Sequence, residues 1–250
     1  MSPTRMVRSP VPATFSPVSP SLARRSAISA LIWWASSRVG ALMSAVRLVD
    51  LGRDLPAIFG AAGTGDVGLA QWTRSDLSAD ALDRSLVELA PNLSLLPKGS
   101  LPLSGRRGDE LVEWLKQDGT TVVDVGTLGF GHEDEWQDSL PHKIVAESDQ
   151  SILVTRACYL SLRRTVGSPL RPTGVVLVSE AGRALTRSDC ERAIGTPIVA
   201  TLAVDPETAR AVDAGMLRTR VPKQATRSLR ALVDNDMSRA RDSAPGIGLD

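Results

Sequence analysis

Arg47-Leu48-Val49-Asp50-Leu51-Gly52-Arg53-Asp54-Leu55-Pro56 and Asp118-Gly119-Thr120-Thr121-Val122-Val123-Asp124-Val125-Gly126 decide how this chain folds. Each is a short apolar run that ends on an aspartate and is followed within two residues by a glycine. Runs of this kind, too short for a helix and bounded by turn residues, read as strands buried on both faces of a parallel sheet. Open α/β sheets place ligands at the carboxyl edge of their strands. The two acids are therefore expected to point the same way into one crevice. An acid at such an edge can hold a water on Mg²⁺, and the glycine after Asp124, Gly126, lets backbone come close to a phosphate.

Further runs continue the pattern. Leu93–Leu96, Thr121–Val125, Ile152–Thr155, Gly174–Val178 and Ile198–Leu202 join Val46–Asp50 as expected strands. Helix-period stretches lie between them. Ser78–Ala90 carries Leu82, Leu86 and Leu89 at helical spacing behind a serine cap. Asp109–Gln117, Cys158–Val166, Thr186–Ala193, Pro206–Ala214 and Ala225–Asp234 are the others. Pro206 stands at a helix start with Asp205 before it as cap, and Gly215 follows the end. Strands alternating with helices predict an α/β fold, a mostly parallel sheet with helices on both faces, and one continuous sheet.

The ends of the chain are different material. Residues 1–49 hold six arginines, Arg5, Arg8, Arg24, Arg25, Arg38 and Arg47, and no acid, although the whole chain has a net charge of only +1. The first twenty residues hold five prolines. Such a segment cannot bury enough apolar surface to offset its ordering entropy, so residues 1–25 and 241–250 read as disordered tails around a single domain over 26–240. The patch Ala30-Leu31-Ile32-Trp33-Trp34 behind Arg24-Arg25 resembles a weak signal or twin-arginine leader. It is too short to span a bilayer and Arg38 interrupts its continuation, so it reads as a buried helix or strand of a cytoplasmic protein. The two cysteines, Cys158 and Cys190, have no partner at metal-ligand spacing and suit a reducing compartment. With 4% aromatics the chain offers no stacking platform for single-stranded nucleic acid. DNA or membrane contact is compatible with this composition but not indicated by it.

The order and spacing of several segments resemble the MinD/ParA-like P-loop ATPases. Leu48-Val49-Asp50-Leu51 with Leu55-Pro56-Ala57-Ile58-Phe59-Gly60 is similar to their second strand and its loop, and the Asp124 strand is similar to their Walker B. Ile152–Arg164 resembles the strand and helix that follow. Gly195-Thr196-Pro197-Ile198-Val199-Ala200-Thr201-Leu202-Ala203-Val204-Asp205-Pro206 resembles the late strand and the loop near the adenine, and Ala211–Gly215 the helix after it. The likeness runs from about Val46 to Leu232 and is closest to actinobacterial relatives of the septum-site and CpaE-like pilus-assembly branch. It implies ATP and Mg as cofactors. It gives Asp124 and Asp50 a catalytic place, Asp124 a place at the metal, and Asp50, Asp124, Gly126 and Asp205 a place at the nucleotide. It further implies a homodimer sandwiching ATP, acting in chromosome or plasmid partitioning, division-site placement or pilus and secretion assembly. No protein partner is named by these residues.

The departures are equally specific. The family's glycine-rich loop with lysine, whose backbone N–H groups hold phosphate, falls near Ser26 by spacing. Leu22-Ala23-Arg24-Arg25-Ser26-Ala27 stands there, with neither glycine nor lysine. Gly52 replaces the second aspartate of the family's strand end. A degenerate, non-hydrolysing relative and a displaced start or reading frame both account for this. The change of composition between Arg25 and Val46 favours the displaced start. A nucleotide-independent interaction module on the same fold is the alternative function.

Other features read as structural. Gly63-Thr64-Gly65-Asp66-Val67-Gly68 matches a dinucleotide fingerprint in form, but no strand leads into it. His132-Glu133-Asp134-Glu135 reads as a solvated acidic loop. Arg163-Arg164 reads as a solvated helix face, and the stripe Leu229, Leu232 and Val233 as core. No serine elbow accompanies His132 or His142.

Overall fold

The computed structural model describes residues 45–61, 67–117, 119–127, 139–168, 170–216 and 227–228. The elements run β1 (Val46–Asp50), α1 (Leu55–Ile58), α2 (Leu69–Trp72), α3 (Asp80–Arg84), β2 (Val87–Ala90), β3 (Leu93–Leu96), a 3-10 turn (Gly105–Arg107) and α4 (Gly108–Leu115). There follow β4 (Thr120–Asp124), α5 (Leu140–Ala146), β5 (Ile152–Arg156), α6 (Tyr159–Val166), β6 (Gly174–Ser179), α7 (Arg187–Ile194), β7 (Ile198–Ala203) and α8 (Pro206–Asp213).

Every residue of β1 is buried. It pairs in parallel with β3 on one side and with β4 on the other. Because side chains alternate across a strand, its two parities feed two cores. Val49 and Leu51, with Leu96, pack against Leu69, Trp72, Leu82, Leu111, Trp114, Leu140 and Ile144. Val46 and Leu48, with Leu95, pack against Leu55, Phe59 and Leu89. Both faces of this sheet are thus covered, as a parallel sheet requires. In the second sheet β6 lies between β5 and β7, parallel to both, over a core of Leu162, Val175, Leu177, Cys190 and Ile198.

Helix ends follow the capping signals. Thr186 and Asp189 close a capping box on α7, and Gly195 ends it in a left-handed conformation. Asp205 caps α8 ahead of Pro206. Ser139 caps α5, again with a proline in the first turn.

One expectation needs correction. The stretch Ser78–Ala90 is not one helix. It is helical only over α3, and Val87–Ala90 forms β2, antiparallel to β3. The chain reverses through Pro91-Asn92, with Asn92 at φ 63°, so Leu89 enters the core opposite to that of Leu82. Leucines at 82, 86 and 89 satisfy a helical period and a broken helix-strand reading equally well, and cross-strand pairing decided between them. Among the described residues the strand orders are β2-β3-β1-β4 and β5-β6-β7. Of the expected helix Ala225–Asp234 only Arg227 and Ser228 are described. The acidic loop at 132–135, the tails and the apolar patch at 30–34 lie outside the described residues. Among the described residues no helix is long and apolar enough to cross a membrane.

Arg47, an arginine in the middle of an apolar strand, is only 9% exposed. Its guanidinium lies 4.6 Å from the Trp114 ring centroid. Nη2 donates to the Gln117 carbonyl at 2.9 Å and Nη1 to the Trp114 carbonyl at 3.3 Å. These carbonyls belong to the end of α4, where the last turn leaves acceptors without helical partners and a cation is favoured. Arg47→Met keeps the apolar stem but strands both carbonyls. It is expected to cost about 2–3 kcal/mol, read as a lower urea midpoint with an unchanged slope.

Candidate functional site

Asp50 and Asp124 are register partners in the β1–β4 ladder and end their strands side by side at the same edge. The Leu51 N–H donates to the Asp124 carbonyl at 2.8 Å, holding the two exits together. Both carboxylates are buried, and Asp50 is wholly inaccessible.

Their roles differ. Asp50 Oδ1 accepts from the N–H groups of Gly52 and Arg53, each at 2.8 Å, and Oδ2 from that of Leu55 at 3.2 Å. The carboxylate thereby ties down the loop into α1, including Arg53 in the left-handed region at φ 75°. Burial pushes the Asp50 carboxyl up to about 6. The Arg53 N–H works against that shift, and the neighbouring Asp124 charge adds to it. Asp124 Oδ1 accepts from the Gly126 N–H at 2.8 Å, a local turn that aims the strand exit back across β1.

Gly126 and Gly52 bring bare backbone together beside these acids. Gly126 has φ +79°, and a Cβ added to it would lie 3.3 Å from the Gly52 Cα. One built on Gly52 would lie 3.5 Å from Asp50 Oδ1 and 3.7 Å from Asp124 Oδ2. Two glycine backbones therefore meet beside two carboxylates at this sheet edge. Gly126→Ala meets both the unfavourable φ and the close backbone. It is expected to destabilise the fold by roughly 1–3 kcal/mol, measurable by thermal unfolding.

Asp205 stands apart from this group, after β7 of the other sheet. Both its oxygens are engaged at the start of α8, accepting from Glu207 N–H at 3.0 Å, Thr208 N–H at 3.2 Å and Thr208 Oγ1 at 2.9 Å. Burial acts to raise its carboxyl, but these donors hold it below the ordinary range. The structure shows it as a helix cap. The three other residues expected at the nucleotide, Asp50, Asp124 and Gly126, are brought together.

Sequence reasoning missed a second polar group at the carboxyl edge of the other sheet. Glu180, after β6, contacts Arg156 at the end of β5 and accepts from Arg183 Nη2 at 2.6 Å. Cys158 Sγ donates to Ser161 Oγ at 3.2 Å nearby. Burial acts to raise that thiol, but the Ser161 hydroxyl and N–H, then Arg156 and Arg183, bring it below its usual value. The only available signal was an arginine and a glutamate each standing directly at a strand end. Gly68 opens α2 and its N–H donates to Gln71 Oε1 at 3.0 Å. Arg163 and Arg164 are exposed on α6.

Whether the residues present suit Mg and a nucleotide divides into two parts. Among the described residues no group of three or more His, Cys, Asp and Glu side chains could hold a metal ion. A cation at Asp124 would therefore need most of its ligands from water and phosphate, which is how Mg²⁺ is commonly held. The N–H groups of Gly52 and Gly126 are both held by the neighbouring carboxylates, so these glycines offer steric room beside the acids rather than free donors for a phosphate. A lysine-bearing glycine loop is not found in the sequence of the described segments.

No protein-family model matches the chain, and no curated protein matches it. Solved structures do. The septum site-determining protein MinD of Pyrococcus horikoshii OT3, complexed with Mg-ADP, is 16% identical with a TM-score of 0.66, over 89% of this chain and 94% of that one. The MinD cell division protein of Aquifex aeolicus is 14% identical with a TM-score of 0.64, over 92% and 94%. A ParA family ATPase from Chlorobium tepidum TLS is 18% identical with a TM-score of 0.60, over 83% and 91%. The mostly parallel sheets, the acid-tipped adjacent strands β1 and β4, and this likeness over most of both chains establish that the protein has the MinD/ParA-like P-loop ATPase fold.

Proposed function

We propose that this chain is a MinD/ParA-like ATPase or pseudo-ATPase that responds to Mg-nucleotide at the Asp124 edge. It acts through nucleotide-dependent pairing of two copies in partitioning, division-site placement or pilus and secretion assembly, in the cytoplasm. The observation that carries the reading is the in-register placement of Asp50 and Asp124 beside the Gly52–Gly126 contact, at the edge where open α/β sheets take ligands. Asp124 holds the water shell of Mg²⁺. Gly126 leaves the strand exit beside Asp124 without a side chain, its N–H held by the Asp124 carboxylate. Asp50 acts by fixing the loop that closes the crevice on the β1 side.

A fluorescent ATP analogue with Mg²⁺ is expected to bind, with Asp124→Ala weakening it by at least about tenfold, the loss of one charge-assisted contact. Absence of binding at millimolar nucleotide would remove the reading. One observation favours a nucleotide-independent interaction module instead: both oxygens of Asp50 are already taken by backbone donors. That reading expects partner binding unchanged by ATP and by Asp124→Ala.

A further inference from the structure

Among the described residues two that are not glycine have a positive φ, Arg53 at 75° and Asn92 at 63°. Asparagine enters this left-handed region readily, and Asn92 serves the tight reversal between β2 and β3. Arginine has no such tolerance, because its Cβ crowds the backbone there. The neighbouring glycine sharpens the contrast. Gly52 lies outside the left-handed region, and a Cβ built on it would meet nothing closer than 3.5 Å. The turn after β1 thus has its glycine where another residue would fit and an arginine where glycine would be at ease. Strain of this kind, held in place by Asp50, is found where a side chain has a use.

The backbone donors around Arg53 are already engaged. The Gly52 and Arg53 N–H groups bond Asp50 Oδ1 and that of Leu55 bonds Oδ2. Leu51 N–H bonds the Asp124 carbonyl, and Gly126 N–H bonds Asp124 Oδ1. A phosphate arriving at this edge therefore meets two carboxylates and needs its donors and its positive charge from a side chain. The exits of β3, β1 and β4 read Pro97-Lys98-Gly99, Leu51-Gly52-Arg53 and Val125-Gly126-Thr127, so Lys98 and Arg53 are the cations on offer. Lys98 follows β3, on the side of β1 away from β4. Arg53 follows β1 itself, directly after the glycine that lies against Gly126 and Asp124. It is exposed. Its planar guanidinium can give two parallel bonds to phosphate oxygens, where a lysine acts as a point charge.

We propose that Arg53 is the phosphate-binding side chain of this edge, taking nucleotide phosphate oxygens while Asp124 serves the water shell of Mg²⁺. The inference rests on the Mg-nucleotide reading above and adds the residue that supplies its positive charge. The left-handed turn is kept, against stability, because it sets an arginine at the exit of β1.

Titration of the full chain with a fluorescent ATP analogue and Mg²⁺, beside urea unfolding, tests it. Arg53→Asn accepts the left-handed turn and removes the charge. It is expected to raise the urea midpoint, to weaken the analogue at least about tenfold, and to make the remaining affinity fall less steeply with added salt. Arg53→Lys keeps the charge and is expected to lose less affinity than Arg53→Asn. Binding by the natural chain that Arg53→Asn leaves intact would overturn this inference and spare the Mg-nucleotide reading. So would equal losses in the two variants, an unchanged salt dependence, or a lowered urea midpoint in Arg53→Asn, each the mark of a structural role. A natural chain that binds no nucleotide removes the reading and this inference together.

Discussion

Asp50→Ala is expected to lower the unfolding free energy by about 3–5 kcal/mol, the scale of removing a buried charged acceptor and orphaning its partners. Three backbone N–H groups, those of Gly52, Arg53 and Leu55, lose their acceptor at once. The side chain is wholly buried, so water cannot take its place without opening the loop. Arg53 is held at positive φ by the same bonds, and its release lets the loop relax away from α1. Leu55 and Phe59, both in the core of that face, follow. Chemical denaturation measures the loss. An effect under about 1 kcal/mol would show that the loop is held by packing alone.

Asp50 also sets a pH dependence whose sign is fixed. Its carboxyl is raised to about 6 in the folded protein against 3.8 as the reference value. The folded state therefore binds the proton more tightly, and the contribution to stability is fully present below about pH 4 and lost as pH rises through about 6. The span corresponds to roughly 3 kcal/mol. Asp50→Asn keeps one acceptor for Gly52 and Arg53 and removes the titration. The difference in unfolding free energy between the natural chain and Asp50→Asn is expected to change across pH 4 to 7 and to level off on either side. A flat difference would mean that the three N–H donors, which favour the ionised form, outweigh burial.

Gly68→Ala is the second large effect. A Cβ at this position would lie 2.1 Å from the Pro97 carbonyl oxygen and 2.9 Å from its carbon. Both atoms are backbone, and that same carbonyl accepts from Leu69 N–H at 2.9 Å while Ala70 N–H bonds Lys98 at 2.8 Å. Relief requires α2 to back away, which breaks these bonds, unseats Leu69 and Trp72 from the core and uncovers buried Ala70. Trp72 also underlies the Arg107 guanidinium, 3.8 Å from its ring centroid, so a second contact is lost. A loss of about 3 kcal/mol or more is expected, since backbone cannot swing aside as a side chain can. Near-UV circular dichroism of the tryptophans together with thermal unfolding reads it. The last glycine of a motif that resembles a dinucleotide fingerprint is thus required by a close approach between two chain segments.

The candidate site was legible to different depths at its different residues. Asp50 and Asp124 stood out because an acid ending an apolar strand is a local pattern. That they share a sheet and point the same way was an inference from strand direction, and the parallel pairing of β1 with β4 bears it out; that the two strands are neighbours was added by the structure. That Asp50 spends both oxygens on its own loop was not legible, since it depends on the path of residues 52–55. Asp205 was legible as the cap ahead of Pro206, and it caps α8; its place at the nucleotide came from the resemblance alone.

By itself the sequence determined where the inner strands lie and where helices begin. An apolar run with an aspartate at its end, Thr186 three residues before Asp189, and Asp205 ahead of Pro206 each encode their structure within a few residues, through side-chain period and capping geometry. Only the tertiary structure decided that Val87–Ala90 leaves the helix to pair with β3, and that Arg47 and Arg107 are buried on tryptophan rings. It alone set the strand orders among the described residues, β2-β3-β1-β4 and β5-β6-β7. Those outcomes depend on partners tens of residues away, and a periodic pattern states which face of an element is apolar without stating what will cover it.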